Sequence, residues 1–332
     1  MIGTANGAPV SITGLGTYTP ERVLTNDELA QIVETSDEWI IERTGIKERR
    51  IASSEQAMTD LALPAARIAL ERAGVRSTDL DLIIVATVTP DMMFPTTGSL
   101  LGDLLPAPDA AAYDLLAGCT GFVYALAQAH AMVSAGLANK ALVVGGDVLS
   151  KILDWTDRST LVLFGDGAGA VVLERVEGRG FLGFELGADG GGGRHLWLPG
   201  SGSRKFEDPD KLVKMNGREV FKFATRVLVS SAEAVLERCG AQVDDVDVYV
   251  PHQANVRIID YAARKLGIPE DRVVVNVDKY GNTSSGSIPL ALADAEADGR
   301  LRPGELVLMT GMGAGLTWGS ALMEWTANGR AV

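Results

Sequence analysis

One rhythm of apolar and polar positions occurs twice, half a chain apart. AARIALERAGVRSTDLDLIIV (65–85) and SAEAVLERCGAQVDDVDVYVP (231–251) each place apolar residues at helical spacing, break at a glycine, and then run into unbroken apolar residues. That order predicts an amphipathic helix, a short turn and a buried strand. At an offset of 166 residues, Glu71 aligns with Glu237, Arg72 with Arg238, Gly74 with Gly240, Asp79 with Asp245 and Asp81 with Asp247. The register continues. The apolar helix pattern that opens at Cys119 and leads to the strand KALVVGGD (140–147) has its counterpart in SSGSIPLALADAEADGRLRPGELVLMTG (284–311). The late glycine-rich strands recur as LVLFGDGAGAVVLE and GLTWGSALMEW.

Helices alternating with apolar strands imply an α/β fold whose mixed or parallel sheets are covered by helices. The repetition divides the chain into two similar halves, 1–175 and 176–332. Packed about a pseudo-twofold axis, they would make Cys119 and the segment around Ser284 equivalent helix starts facing one interior. Strand ends at such a junction are a common place for an active site.

Composition narrows the partners. With 332 residues, 46% hydrophobic and 22% charged, the chain can bury a large core. A net charge of -13 argues against nucleic acid as a routine partner, although local arginines can still receive an acidic one. No apolar run is long enough to span a bilayer. The two cysteines do not suggest a disulfide framework, and MIGTANGAPVSITG has no secretory signal pattern, so a cytoplasmic protein with free thiols is expected. The 38 glycines cluster at what read as strand ends, which suggests close backbone approach. Residues 187–205 read as a long irregular loop.

Cys119 lies among small residues where a strand pattern gives way to a helix. A helix N-terminus favours a thiolate, so the expectation is a lowered thiol pKa and a nucleophile. The competing reading is a small buried core residue. Cys239, the equivalent of Ala73, reads as packing. His252 follows an apolar strand and Pro251, a position that can aim a ring into a cleft or simply cap a turn. His130 falls in a helix and His195 in the irregular loop. Asn282 follows VVVNV, which reads as a strand, and either caps the next helix or donates to a developing negative charge. No spacing suggests a metal site.

LLAGCTGFVYAL, VPHQANVRI and YGNTSSGSIPLAL resemble the Cys, His and Asn motifs of the beta-ketoacyl-acyl carrier protein synthase III family, within the thiolase-like condensing enzymes. TSDEWIIERTGIKERR, DRSTLVLFGDGAGA and GMGAGLTWGSALMEW extend the resemblance over essentially the whole chain. It implies the duplicated thiolase-like fold, a homodimer and no tightly bound cofactor. It implies an acyl-CoA primer that acylates Cys119 and releases CoA, then decarboxylative condensation with malonyl-acyl carrier protein to start fatty-acid synthesis. Cys119, Gly313, Ala314 and Gly315 are then candidates for backbone oxyanion donors, and His252 and Asn282 for enolate donors. Trp39, Arg43 and Arg158 match residues that contact CoA. Phe221 and Asn255 would border the pantetheine tunnel, and Arg257 matches a carrier-protein docking residue. Phe94 resembles the residue that limits the partner subunit's primer pocket, with Met92 and Met93 beside it. Arg218 departs from the asparagine often found in its motif and is given no role. Thiolases share the fold but ordinarily join two acyl-CoA molecules without decarboxylation, and plant-like polyketide synthases make repeated extensions. A nonenzymatic interaction protein would leave the combined motifs unexplained. The alternative kept is a specialised type III ketosynthase that primes aromatic polyketide (antibiotic) synthesis by the same chemistry.

Overall fold

The computed structural model describes residues 7–207 and 210–326. Its first sheet comprises β1 (Val10–Tyr18), β2 (Leu82–Ala86), β3 (Ala111–Leu115), β4 (Lys140–Asp147) and β5 (Gly167–Arg175), in the order β1-β5-β4-β2-β3. The second comprises β6 (Phe181–Ala188), β7 (Val248–Pro251), β8 (Leu306–Gly313) and β9 (Thr317–Glu324), in the order β6-β9-β8-β7. Order and strand sense match between the sheets. The parallel pair Ile84–Val143 corresponds to Val250–Met309, each residue shifted by 166.

The repeated polar residues perform equivalent tasks. Helices α1 (Met58–Ala73) and α3 (Gly217–Cys239) cover the outer faces of the two sheets, and both stop at a left-handed glycine, Gly74 or Gly240, with φ 67° in each case. In the last turn, Arg72 donates to the Leu15 carbonyl of β1, and Arg238 to the Phe184 carbonyl of β6. Asp81 accepts from the Lys140 N–H at the start of β4, and Asp247 from the Leu306 N–H at the start of β8. One set of side chains thus ties each outer helix and each parallel strand pair together.

The middle layer follows from hydrophobicity on all sides. In α2 (Gly121–Ser134), Gly121, Phe122, Val123, Ala125, Leu126 and Ala127 are buried on several sides of the helix, and in α5 (Ser287–Ala297) so are Ile288, Leu290, Ala291 and Leu292. A helix without a polar face must be covered on every side. Both lie between the sheets, in one apolar cluster that includes Ile84 and Val143 from the first sheet and Val250 and Met309 from the second. Truncating a fully buried Leu126 to alanine there costs about 2–5 kcal/mol.

Two sequence expectations need correcting. VVVNV forms no strand: it makes a single bridge, Tyr249–Val273, where the second sheet would place its counterpart of β3. The Gln253 amide takes the ladder positions, donating to Val274 O at 3.0 Å and accepting from Asn276 N–H at 2.9 Å. The irregular loop is also more ordered than expected. It contains short turns at Gly190–His195 and Pro199–Ser201 and a two-residue strand, Leu196–Trp197, paired with Lys214–Met215.

His130 on α2 packs against the stacked rings of Phe181 and Phe184, its ring 5.8 and 5.4 Å from theirs, and its Nε2 has no partner. Burial lowers its pKa from 6.5 to about 4. The unfolded chain therefore binds a proton that the folded one refuses, so stability falls as pH drops from about 6.5 through about 4. His130→Phe should flatten that part of the acid limb in denaturant titrations at stepped pH. An unchanged limb would remove His130 as its source.

Candidate active site

The two central helices each begin with a short 3₁₀ turn, Gly118–Thr120 before α2 and Ser284–Gly286 before α5, and the two turns touch. Ser285 Oγ donates to Gly118 O at 3.0 Å. Absent side chains bring the backbones together. A Cβ on Gly118 would stand 2.7 Å from Ala314 N, and one on Gly313 2.4 Å from Cys119 N. The backbone connecting β8 and β9 therefore lies directly on Cys119, among the N–H groups expected to serve an oxyanion.

His252 extends β7 by one bond, its N–H donating to Thr310 O at 2.7 Å. Its buried Nδ1 lies 2.5 Å from Ser287 Oγ, which itself accepts from Gln253 N–H at 3.2 Å. Accepting that N–H, the Ser287 hydroxyl keeps a proton that it can donate to Nδ1, the arrangement that puts the ring proton on Nε2. Nε2 has no protein partner. Burial pushes the His252 pKa down to about 3, so the ring is neutral. Asn282 bridges Phe164 through its backbone, and its Oδ1 accepts from Ser284 N–H at 2.8 Å. That fixes the amide and leaves its NH₂ as a donor.

The expected lowering of the Cys119 pKa is not found. Burial pushes the thiol up to about 12; the Ser284 side chain lowers it, and the buried Asp147 carboxylate raises it again. Asp147 ends β4, and its Oδ1 accepts from the Thr87 hydroxyl, Val88 N–H and both Thr89 donors. The helix start is present, but no positive side chain joins it to offset the desolvation of sulfur.

Two cavities meet at Cys119. One, of about 560 Å³, is bounded by Cys119, His252, Asn282 and Gly313 at its inner end and by Trp39, Arg43, Phe221, Asn255 and Arg257 further out. Arg218, given no role from sequence, lines it too. Arg158 does not; its guanidinium packs 4.9 Å from the Trp39 ring centre and donates to Glu34 O. The Asn255 side chain caps helix α4 (Val256–Leu266), accepts from Arg257 N–H and donates to Arg43 O, so its local role is structural. Arg257 lies over Phe221 at 5.7 Å. The second cavity, about 910 Å³, holds Met92, Met93, Ala314 and Gly315 with Phe164, Leu196 and Ser284. Phe94 lines neither cavity and is 84% exposed. Sequence reasoning missed Ser284, Ser287 and Asp147. The duplicated turn SSGS and the polar end of the strand VVGGD were the available signals.

Among the described residues, no group of three or more His, Cys, Asp or Glu could hold a metal ion, and no helix is long and apolar enough to cross a membrane. Residues 113–190 match the family 3-oxoacyl-[acyl-carrier-protein (ACP)] synthase III, and residues 236–325 match its C-terminal part. A beta-ketoacyl-[acyl-carrier-protein] synthase III of Symbiobacterium thermophilum is 53% identical, over 96% of this chain and 98% of its own. The crystal structure of such a synthase from Thermus thermophilus has a TM-score of 0.91 at 51% identity, covering 96% of this chain and 99% of that one. A priming β-ketosynthase from a polyketide pathway has a TM-score of 0.92 at 36% identity, covering 97% and 98%.

The contact between Gly313 and Cys119 yields a direct test. Gly313→Ala should lose about 1–3 kcal/mol and change the alkylation rate of Cys119, because the new methyl has no room. Gly311→Ala on the same strand meets nothing nearer than 3.6 Å and should stay within about 0.5 kcal/mol of wild type. Denaturant melts and peptide-resolved alkylation measure both. Equal behaviour of the two variants would contradict the close approach.

Proposed function

The chain belongs to the 3-oxoacyl-[acyl-carrier-protein] synthase III family, and on that premise we propose that it starts fatty-acid synthesis by condensing an acyl-CoA primer with malonyl-acyl carrier protein. The observation that carries this reading is the set of unpaired donors, His252 Nε2 and the Asn282 NH₂, on the same cavity as Cys119.

In the first stage Cys119 Sγ attacks the primer thioester, and the thiol proton leaves with CoA as its free thiol. Backbone N–H groups of Cys119 and of Gly313, Ala314 and Gly315 receive the transient oxyanion. In the second stage the malonyl C–C bond breaks, CO₂ departs, and its electron pair becomes the enolate of the carrier-protein thioester. His252 Nε2–H and the Asn282 amide donate to the enolate oxygen. The α-carbon then attacks the acyl carbonyl and expels Cys119 sulfur, which regains a proton as the 3-oxoacyl product leaves. A histidine that stays neutral above about pH 3 suits a donor better than a base cycling through imidazolium.

Half 1–175 supplies the nucleophile and half 176–332 the donors. Trp39 and Arg43 offer an aromatic ring and a cation at the outer end of the first cavity, with Arg158 packed on the Trp39 ring beside it, fitting adenine and phosphate of CoA. Phe221 and Asn255 border the pantetheine path, and Arg257 meets the acidic carrier protein. Met92 and Met93 line the primer cavity, and exposed Phe94 closes that of the second subunit in a cytoplasmic homodimer. A polyketide-priming role would use the same chemistry, and a priming β-ketosynthase of a polyketide pathway is 36% identical; the relatives near 50% favour fatty-acid initiation.

Wild type incubated with a short acyl-CoA should gain a hydroxylamine-sensitive acyl mass on Cys119, and Cys119→Ala should not. His252→Ala and Asn282→Ala should load within about tenfold of wild type yet lose about 10²–10³-fold in decarboxylation. An acyl adduct retained on Cys119→Ala, or donor variants defective only in loading, would reverse these roles.

A further inference from the structure

We propose that the Ser284 hydroxyl is the hydrogen-bond donor that stabilises Cys119 sulfur as it becomes a thiolate, an inference that rests on reading Cys119 as the nucleophile. The repeat draws attention to this residue. Ser284 stands where Gly118 stands in the other half, and the two share a left-handed backbone, φ 53° and 57°. Among the described residues, the only non-glycine residues with positive φ are Ser284 and Pro106. This conformation favours glycine. The backbone task of the position, donating Ser284 N–H to Asn282 Oδ1, would be done equally well by glycine. The side chain therefore needs its own reason, and an outlier of this kind points toward function.

The hydroxyl is in the right place for one. Ser284 is 1% exposed, its Oγ has no hydrogen-bond partner, and it lines the second cavity beside Cys119. It faces both the thiol and the Asp147 carboxylate, without a bond of ordinary geometry to either. Asp147 accepts on Oδ1 from Thr87, Val88 and Thr89 and on Oδ2 from Ser285 N–H at 3.4 Å, so the Ser284 hydroxyl can turn from the carboxylate to the sulfur without orphaning Asp147. The titratable groups facing Cys119 are Asp147 from β4 and His252 after β7; one is acidic and the other a neutral ring, so neither brings positive charge to the sulfur. Rotation about the Ser284 Cβ–Oγ bond would let the oxygen accept from S–H before reaction. The same rotation would turn the hydroxyl proton to sulfur as charge builds, with no movement of heavy atoms.

Iodoacetamide alkylation of Cys119, resolved from Cys239 by peptide mass spectrometry, should be followed across neutral to alkaline pH in wild type, Ser284→Ala and Ser284→Gly. Both variants should react about tenfold more slowly at Cys119 at each pH below its pKa, with Cys239 unchanged, and should load primer more slowly by a similar factor. Ser284→Gly relieves the left-handed backbone and so separates loss of the hydroxyl from strain; Ser284→Ala gives the same comparison if glycine loosens the turn. A folded variant whose Cys119 reacts at the wild-type rate overturns the proposal. Wild type that alkylates but never takes up acyl groups would instead sink the nucleophile reading, with the alkylation comparison still judging Ser284.

Discussion

The contact between the turns Gly118–Thr120 and Ser284–Gly286 is the constraint on which the site depends. It exists because Gly121 has no side chain to meet Ser285 and Gly145 of β4 leaves room for Ser285 O, and Ser285 Oγ closes it on Gly118 O. Two helices without polar faces are forced between the sheets by their own hydrophobicity, and their first turns then have nowhere to go but against each other. Cys119 comes from one turn, and Asn282 lies two residues before the other. His252 is held from the side by Ser287, the first residue of α5.

Burial sets the electrostatics of this junction. Desolvation raises the Cys119 pKa and lowers that of His252, so both groups are neutral before reaction. The site answers with fixed dipoles: backbone N–H groups near Gly313, the His252 Nε2 proton and the Asn282 amide. In a dry cavity such donors act more strongly than in water and need no reorganisation when charge develops. Positive side chains are kept at the outer end of the first cavity, where Arg43 and Arg257 can meet an anionic substrate without entering the chemistry.

Much of this was legible in the sequence because duplication is a pattern of residues. The offset that aligned Asp81 with Asp247 also relates their partners, Lys140 and Leu306, and the aligned Arg72 and Arg238 reach carbonyls on equivalent strands. What the sequence hid was competition for backbone groups and the effect of burial. VVVNV has every property of a strand, but Gln253, distant along the chain, takes its ladder positions. The helix start at Cys119 is real, yet desolvation and Asp147 outweigh it. Ser287 is an ordinary serine until the fold brings it to His252, and Arg158 approaches the first cavity only through the Trp39 ring.

The central claim is that nucleophile and enolate donors are separate contributions from the two halves, brought together where the turns meet. Release of CO₂ from carboxyl-labelled malonyl-acyl carrier protein tests it most directly, in Cys119→Ala and in Asn282→Ala. The account predicts that Cys119→Ala, unable to condense, still releases CO₂, whereas Asn282→Ala with its thiol intact releases little. Release abolished by loss of the thiol but preserved without Asn282 would contradict it.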